Sequence, residues 1–294
     1  MKRIITFDEI FRSCAVGRFK RDMTEDEIKL NAFSRASHKI INIYLKYNIY
    51  FRYADETVQK GFSKEELLRL YKKRLSKKKT TARYYYNLLL NNSPAKKCQL
   101  CYIGKAESLD HFLPKELFPS LSISPNNLIP VCGVCNQIKS SYIALTAEEQ
   151  LLHPRYGEFY SDFLLMANFD TNTNSVIFNV SDRVFNKNSV ELKRISYHVE
   201  KFGIITAFET KAMDMLRDFV KLAILNNIEV EDVINEKLAL LNERYKELNV
   251  SKYTIYQWQW LTCCALLNSP YFLINAKLIF GAQRDIYMPD YGFE

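Results

Sequence analysis

The sequence predicts an α+β chain in which two mostly helical regions flank a short, turn-rich segment carrying four of the seven cysteines. Three observations predict it. Helix-opening boxes and apolar residues at 3.6-residue spacing dominate the first ninety residues and return in the C-terminal part. Between Cys98 and Lys139 that spacing gives way to two C-x-x-C pairs and short runs punctuated by Pro and Asn. The composition, 48% apolar and 25% charged with eight Gly and eight Pro in 294 residues, excludes disordered and collagen-like chains. The length allows one large or two medium domains.

The start, MKRIITFDEIF, has a basic head, but Asp8 and Glu9 end its apolar stretch too early for a signal peptide. No apolar run approaches the ~20 residues of a membrane span. The longest, Trp260 to Leu267, has eight. The expectation is a soluble, cytoplasmic protein without a membrane partner.

Thr24-Glu25-Asp26-Glu27 is a capping box, after which Ile28, Ala32, Ala36, Ile40, Ile43 and Tyr47 recur at helical spacing. Ser63-Lys64-Glu65-Glu66 opens a second helix with Leu67, Leu70, Tyr71 and Leu75 inward. It runs into Lys72, Lys73, Arg74, Lys77, Lys78, Lys79 and Arg83, followed by Tyr84-Tyr85-Tyr86. Cations interleaved with aromatics can track a phosphate backbone and stack bases. A solvated helix end with a tyrosine packing seam is the alternative. Residues 1–97 hold 23 Lys/Arg against 10 Asp/Glu, while the remainder is slightly acidic. That asymmetry suits a face that meets a polyanion.

Asn91-Asn92-Ser93-Pro94 marks a boundary. Beyond the cysteine segment, Thr146-Ala147-Glu148-Glu149 reads as a helix start. Ser175 to Val180 reads as a strand with a partner near Val190 to Ile195. Three helices come next: one carries Phe208, Ala212, Met215, Phe219 and Leu222, the next Val230, Ile234, Leu238, Leu241 and Tyr245, the last Tyr256, Trp260 and Cys264.

Seven cysteines in a cytoplasmic chain argue for metal or chemistry rather than disulfides. Cys14, Cys263 and Cys264 read as small buried side chains. Cys98/Cys101 and Cys132/Cys135 each form a knuckle, and two knuckles can close four thiolates on one structural Zn²⁺. An ordinary zinc ribbon needs none of the polar residues beside them: Asp110-His111, Asn126-Asn127 and Asn136.

The order C-x-x-C…L-D-H-F-x-P-K…N-N-L-I-P-V-C-x-x-C-N-x-x-K resembles the HNH endonuclease family over about 45 residues, Cys98 to Lys139. Leu152-His153-Pro154-Arg155-Tyr156 also resembles the stretch that often lies just beyond this motif in bacterial HNH proteins, some of which accompany an ATPase in anti-phage defence. The resemblance implies a zinc-stapled ββα-metal nuclease module over 94–156, between a basic helical region (1–93) and a mostly helical region with a short β element (157–294).

It also implies roles. His111 is the general base and Asn127 holds the loop that orients it. Asp110 and Asn136 are oxygen ligands of a catalytic Mg²⁺ or Mn²⁺. Lys139 contacts a phosphate; Lys72, Lys73, Arg74, Lys77, Lys78, Lys79 and Arg83 lie outside the resemblance and are a candidate nucleic-acid surface by their own charge and spacing. The last motif position is Asn where His is also common, a variant that goes with an acidic residue before the first His, here Asp110. The expected activity is metal-dependent phosphodiester hydrolysis, with DNA as substrate and RNA as the alternative, and with an ATPase subunit as candidate partner. The rival is a non-catalytic zinc ribbon that only docks nucleic acid or protein.

Overall fold

Local capping chemistry starts the first helices. In the computed structural model, which describes residues 5–17, 21–46, 62–155, 164–181, 188–248 and 257–281, α1 (Phe7–Ala15) opens on a reciprocal box between Thr6 and Glu9. The box satisfies two amides that lack helical partners. α2 (Glu25–Lys46) opens on the same device between Thr24 and Glu27, whose carboxylate is gripped by Arg21. α3 (Lys64–Arg69) opens on Ser63 and Glu66 and passes directly into a π-turn at Leu70–Leu75. α4 (Arg83–Asn91) is next. Then come β1 (Ser108–His111), β2 (Leu128–Val131) and α5 (Gly133–Lys139).

The chain divides into two compact units, one of residues 1–160 and 185–202, the other of 161–184 and 203–294. In the first, Phe7, Ile10 and Phe11 of α1 share a core with Leu67, Leu70, Leu75, Leu89, Leu109, Ile123 and Leu128. The N-terminal helices and the β1–β2 ribbon therefore stand on one hydrophobic cluster. Each large side chain buried there contributes about 1.5–3 kcal/mol. α6 (Val190–Lys201) closes this unit, burying Arg194, Ile195, His198 and Val199.

α2 departs from its sequence pattern. Its buried face is Leu30, Ser34, Ser37, Ile41 and Leu45. The regular stripe lies on the outer side, with Ile28, Ile40 and Ile43 52%, 42% and 56% exposed. Small serines allow close approach that isoleucines would block. Tyr47 of that stripe lies outside the described residues.

In the second unit, β3 (Leu165–Asp170) pairs antiparallel with β4 (Ser175–Val180) in register Leu165↔Val180 to Asp170↔Ser175. The Asp170 carboxylate accepts from Thr173 and from the Asn172 amide across the turn. α7 (Ile204–Asn226), α8 (Val230–Leu248), α9 (Gln257–Leu267) and α10 (Pro270–Gly281) complete it. The aromatic pairs Phe169–Phe272 and Phe178–Phe208 tie the hairpin to α10 and α7. Tyr256 lies outside the described residues, and Leu222 is exposed rather than inward.

Two expectations are corrected. The partner of β4 is β3, because Val190–Ile195 begins α6, where Ser189 caps the Leu192 amide. Thr146 starts only a turn, in which its hydroxyl accepts from the Glu149 amide, and residues 150–153 leave the helical path. No single described helix is long and apolar enough to cross a membrane.

Candidate metal centre and active site

The four knuckle cysteines converge. Their sulfurs lie within 4.8 Å of one another, and all four residues are buried. Backbone hydrogen bonds shape the knuckles: the Cys98 amide donates to Gly104 (2.7 Å), Tyr102 to Cys98 (2.9 Å) and Asn136 to Cys132 (3.0 Å). Gly104 is fixed by crowding, since a Cβ there would sit 2.8 Å from the Cys132 Cβ and 3.0 Å from its Sγ. Hydrogen bonds from Cys135 and Cys98 hold the Cys101 thiol well below its usual range, and the contacts with Cys101 push Cys98 and Cys135 up. Four cysteine sulfurs at this spacing can hold a metal ion.

From Cys132 the chain turns into α5, whose first knuckle residue is also its N-cap. Upstream, β1 pairs antiparallel with β2, placing Asp110 opposite Ile129 and His111 opposite Leu128. Pleating sends Leu109 and His111 inward and leaves Ser108 and Asp110 half-exposed. Two tyrosines close the outer edge of β1: Tyr86 accepts from the Leu109 amide (3.0 Å), and Tyr71 donates to its carbonyl (3.3 Å). The seam reading thus holds for Tyr86, which is buried, while Tyr84 is exposed.

His111 is 3% exposed, with the Tyr71 ring edge-on at 4.3 Å. Its Nε2 lies 2.8 Å from the Ser122 carbonyl. A carbonyl only accepts, so Nε2 carries the proton and the lone pair resides on Nδ1. That nitrogen has no hydrogen-bond partner among the described residues. The other histidines use both nitrogens. His153 donates to Asn126 and accepts from the Arg155 amide, His198 donates to Leu100 and accepts from the Leu152 amide, and His38 bonds Ser124 and Asn42. Burial pushes the His111 imidazole down to about 3, so it is neutral at any physiological pH.

Asn127 is fully buried and ties the ends of the loop between the strands. Its Oδ1 accepts from the Leu113 amide (2.7 Å), and its Nδ2 donates to the carbonyls of Leu113 (2.9 Å) and Leu121 (3.4 Å). Leu121 precedes the serine whose carbonyl holds His111. Arg155 braces the same loop through the carbonyls of Pro125 and Leu128.

Asp110 splits its carboxylate. Oδ1 accepts from the His111 amide (2.7 Å), while Oδ2 is buried and accepts no hydrogen bond of good geometry. Its contact is ionic, with the Lys139 ammonium at 3.2 Å. Lys139 corrects an expectation. Its side chain is 0% exposed and its Nζ donates to the His111 carbonyl at 2.6 Å, so it faces the ribbon rather than an external phosphate. Burial lowers its basicity, and Asp110 opposes that shift. Asn136, one turn earlier on α5, is exposed.

The basic run sorts into two kinds. Lys73, Lys77, Lys78 and Lys79 are exposed, with no ion-pair partner among the described residues. Lys72 pairs with Glu116 (3.2 Å), and Arg74 is half-buried. Arg83 is structural, donating to the Ser76 carbonyl and lying 3.9 Å over the Tyr86 ring.

Sequence reasoning missed the work of Tyr71, Ser122 and Arg155 around His111. Helical spacing places Tyr71 inward, where it packs on the core, but it does not name His111 as the ring it meets.

Over 132 residues (44% of the chain) the sequence is 30% identical to Protein ea31 of Escherichia phage lambda, and the match covers 45% of that protein. The chain thus spans less than half the length of this relative. No family model matches the chain, and no solved structure matches it.

Proposed function

We propose that this protein is a metal-dependent endonuclease of HNH type that hydrolyses phosphodiester bonds in DNA. One observation carries the reading: His111 is the histidine whose second ring nitrogen has no hydrogen-bond partner among the described residues, on a strand beside a buried carboxylate oxygen that accepts no hydrogen bond and meets only the Lys139 ammonium. A histidine kept only for packing would use both nitrogens, as His153 and His198 do.

In this reading His111 takes a proton from the attacking water at Nδ1, while Ser122 holds Nε2–H and so fixes the tautomer. Tyr71 and the Asn127-tied loop keep the ring from turning. A phosphodiester brought against the imidazole raises its proton affinity from the low resting value, since a nearby negative charge favours the imidazolium. Asp110, through Oδ2, and Asn136, one helical turn from Lys139, would hold Mg²⁺ or Mn²⁺. A buried carboxylate oxygen whose contact is already a cation, together with the hard-oxygen donor set, fits such an ion. When bound, that ion supplies charge stabilisation for the phosphorane and the leaving 3′ oxygen. The four cysteines hold a structural Zn²⁺, their closed thiolate set leaving no position for substrate. Lys73, Lys77, Lys78 and Lys79 supply phosphate contacts.

The test is digestion of supercoiled plasmid, single-stranded DNA and total RNA, with Mg²⁺, Mn²⁺ or EDTA. Metal-dependent cutting of plasmid is expected, reduced in Asp110→Asn and partly restored by excess Mn²⁺. Nucleic-acid binding without cutting under every condition would leave the docking module as the better account.

A further inference from the structure

We infer that Lys139 is the resident cation of this site, and that a divalent ion reaches Asp110 only by displacing its ammonium. The inference rests on the reading of Asp110 as a metal ligand in the nuclease proposed above.

The geometry leaves little choice of position. Asp110 has one carboxylate oxygen committed to the His111 amide, so Oδ2 is the one left for a cation. The Lys139 Nζ stands 3.2 Å from that oxygen and 2.6 Å from the His111 carbonyl, with its whole side chain out of water. Mg²⁺ binds a carboxylate oxygen at about 2.0–2.1 Å and keeps an octahedral shell of further oxygens around itself. Such a shell has no room for a strongly held ammonium on the same oxygen, and the two positive charges repel. Occupancy is therefore a competition between one charge supplied by the chain and two supplied by solution.

The position of Lys139 makes its departure feasible. It is the last residue of α5, and Ser140 after it has a positive φ (45°), where the helix ends abruptly. Its neighbours Asn136, Gln137, Ile138 and Ser140 are exposed. A four-carbon stem at a helix end beside solvent carries its ammonium to water with little backbone movement. Lys139 thereby keeps Asp110 from standing as an uncompensated buried charge until metal arrives.

Two measurements on the full-length, zinc-loaded protein decide it. Mn²⁺ binding, followed by loss of the free-ion electron paramagnetic resonance signal, should be about tenfold or more tighter in Lys139→Met than in the unaltered protein. It should be at least tenfold weaker in Asp110→Asn than in the unaltered protein. Reductive methylation read by mass spectrometry should find Lys139 protected without divalent ion and labelled at saturating Mn²⁺, with Lys77 and Lys78 labelled in both. This second readout needs no substitution, so it decides the matter if Lys139→Met fails to keep its zinc. Binding that is unchanged or weaker in Lys139→Met, or a Lys139 that stays protected at saturating Mn²⁺, overturns the inference and leaves the nuclease reading standing. Absence of any Asp110-dependent Mn²⁺ binding, in all forms, removes the catalytic-metal reading and this inference together.

Discussion

The two compact units bury different chemistry. The first encloses His111, His153, His198, Asn127, Lys139, Arg194, Ser122 and Ser124 alongside its apolar core. The second, among its described residues, encloses Phe169, Val176, Phe178, Phe208, Leu216, Phe219 and Phe272 with little polar company beyond Ser181 and Thr262. A buried polar group costs free energy unless partnered, so the first unit is specified by hydrogen bonds and by its cysteine cluster. The second is held mainly by area removed from water, which tolerates change in pH and metal. Every histidine and all four clustered cysteines lie in the first unit. The two should therefore respond differently to the same perturbation.

Metal removal should give the largest difference. Structural zinc on thiolates is worth about 10–16 kcal/mol at neutral pH, comparable to the whole stability of a domain. Strong chelation, or Cys132→Ser, should abolish amide hydrogen-exchange protection in β1, β2 and α5 while α7 and β4 keep theirs. Equal loss in both units would break the comparison.

Acid comes next. Burial holds His111 and His153 down to about 3 and His198 down to about 4. The unfolded chain takes up these protons near pH 6.5, and the folded chain refuses them. Stability from this source is therefore complete above pH 6.5 and is lost as pH falls toward 4 and then 3. Three such groups give a slope of up to about 4 kcal/mol per pH unit within that window. The second unit contains no histidine and should lack this slope. Exchange protection of α6 against α7 between pH 7 and pH 5 measures it.

Two glycines sharpen the contrast at smaller scale. Gly104→Ala forces a methyl against Cys132, so it should cost about 1–3 kcal/mol and also weaken zinc retention. Gly203→Ala meets nothing within 4 Å but imposes a left-handed backbone (φ 58°) on alanine. It should cost about 1 kcal/mol and leave zinc untouched. Thermal melts with zinc analysis separate the two causes.

Smallest in stability, and confined to binding, is the exposed basic run. Neutralising Lys73, Lys77, Lys78 and Lys79 should shift melting by under about 0.5 kcal/mol. It should flatten the log–log salt dependence of duplex binding by up to about 0.9 for each phosphate no longer neutralised. An unchanged slope would make these lysines a solvated face.

The elements legible in the sequence were those fixed by short-range chemistry. The Thr24 and Ser63 boxes open the helices they announce, and the two C-x-x-C pairs meet in one cluster. What periodicity could not supply was the choice among faces and partners. Nothing local says that Ser34 and Ser37 rather than Ile28 and Ile43 face the core of the first unit. A strand pattern at Ser175–Val180 does not name Leu165–Asp170 as its neighbour. Lys139 was unreadable for the same reason, since a helix lysine is usually solvated and only a carboxylate on another element explains its burial. Tyr71 was legible as an inward residue, but its contact with His111 depends on the strand packed against it, which helical spacing cannot name.

The claim on which the proposed activity turns is that His111 serves as base through its free Nδ1. The direct measurement is single-turnover plasmid cleavage at saturating Mn²⁺ by the unaltered protein and by His111→Gln, each verified to carry zinc and to bind Mn²⁺. The account predicts a fall of about 10²–10⁴-fold in His111→Gln, with Mn²⁺ affinity changed little. Cleavage by His111→Gln at the unaltered rate would contradict it.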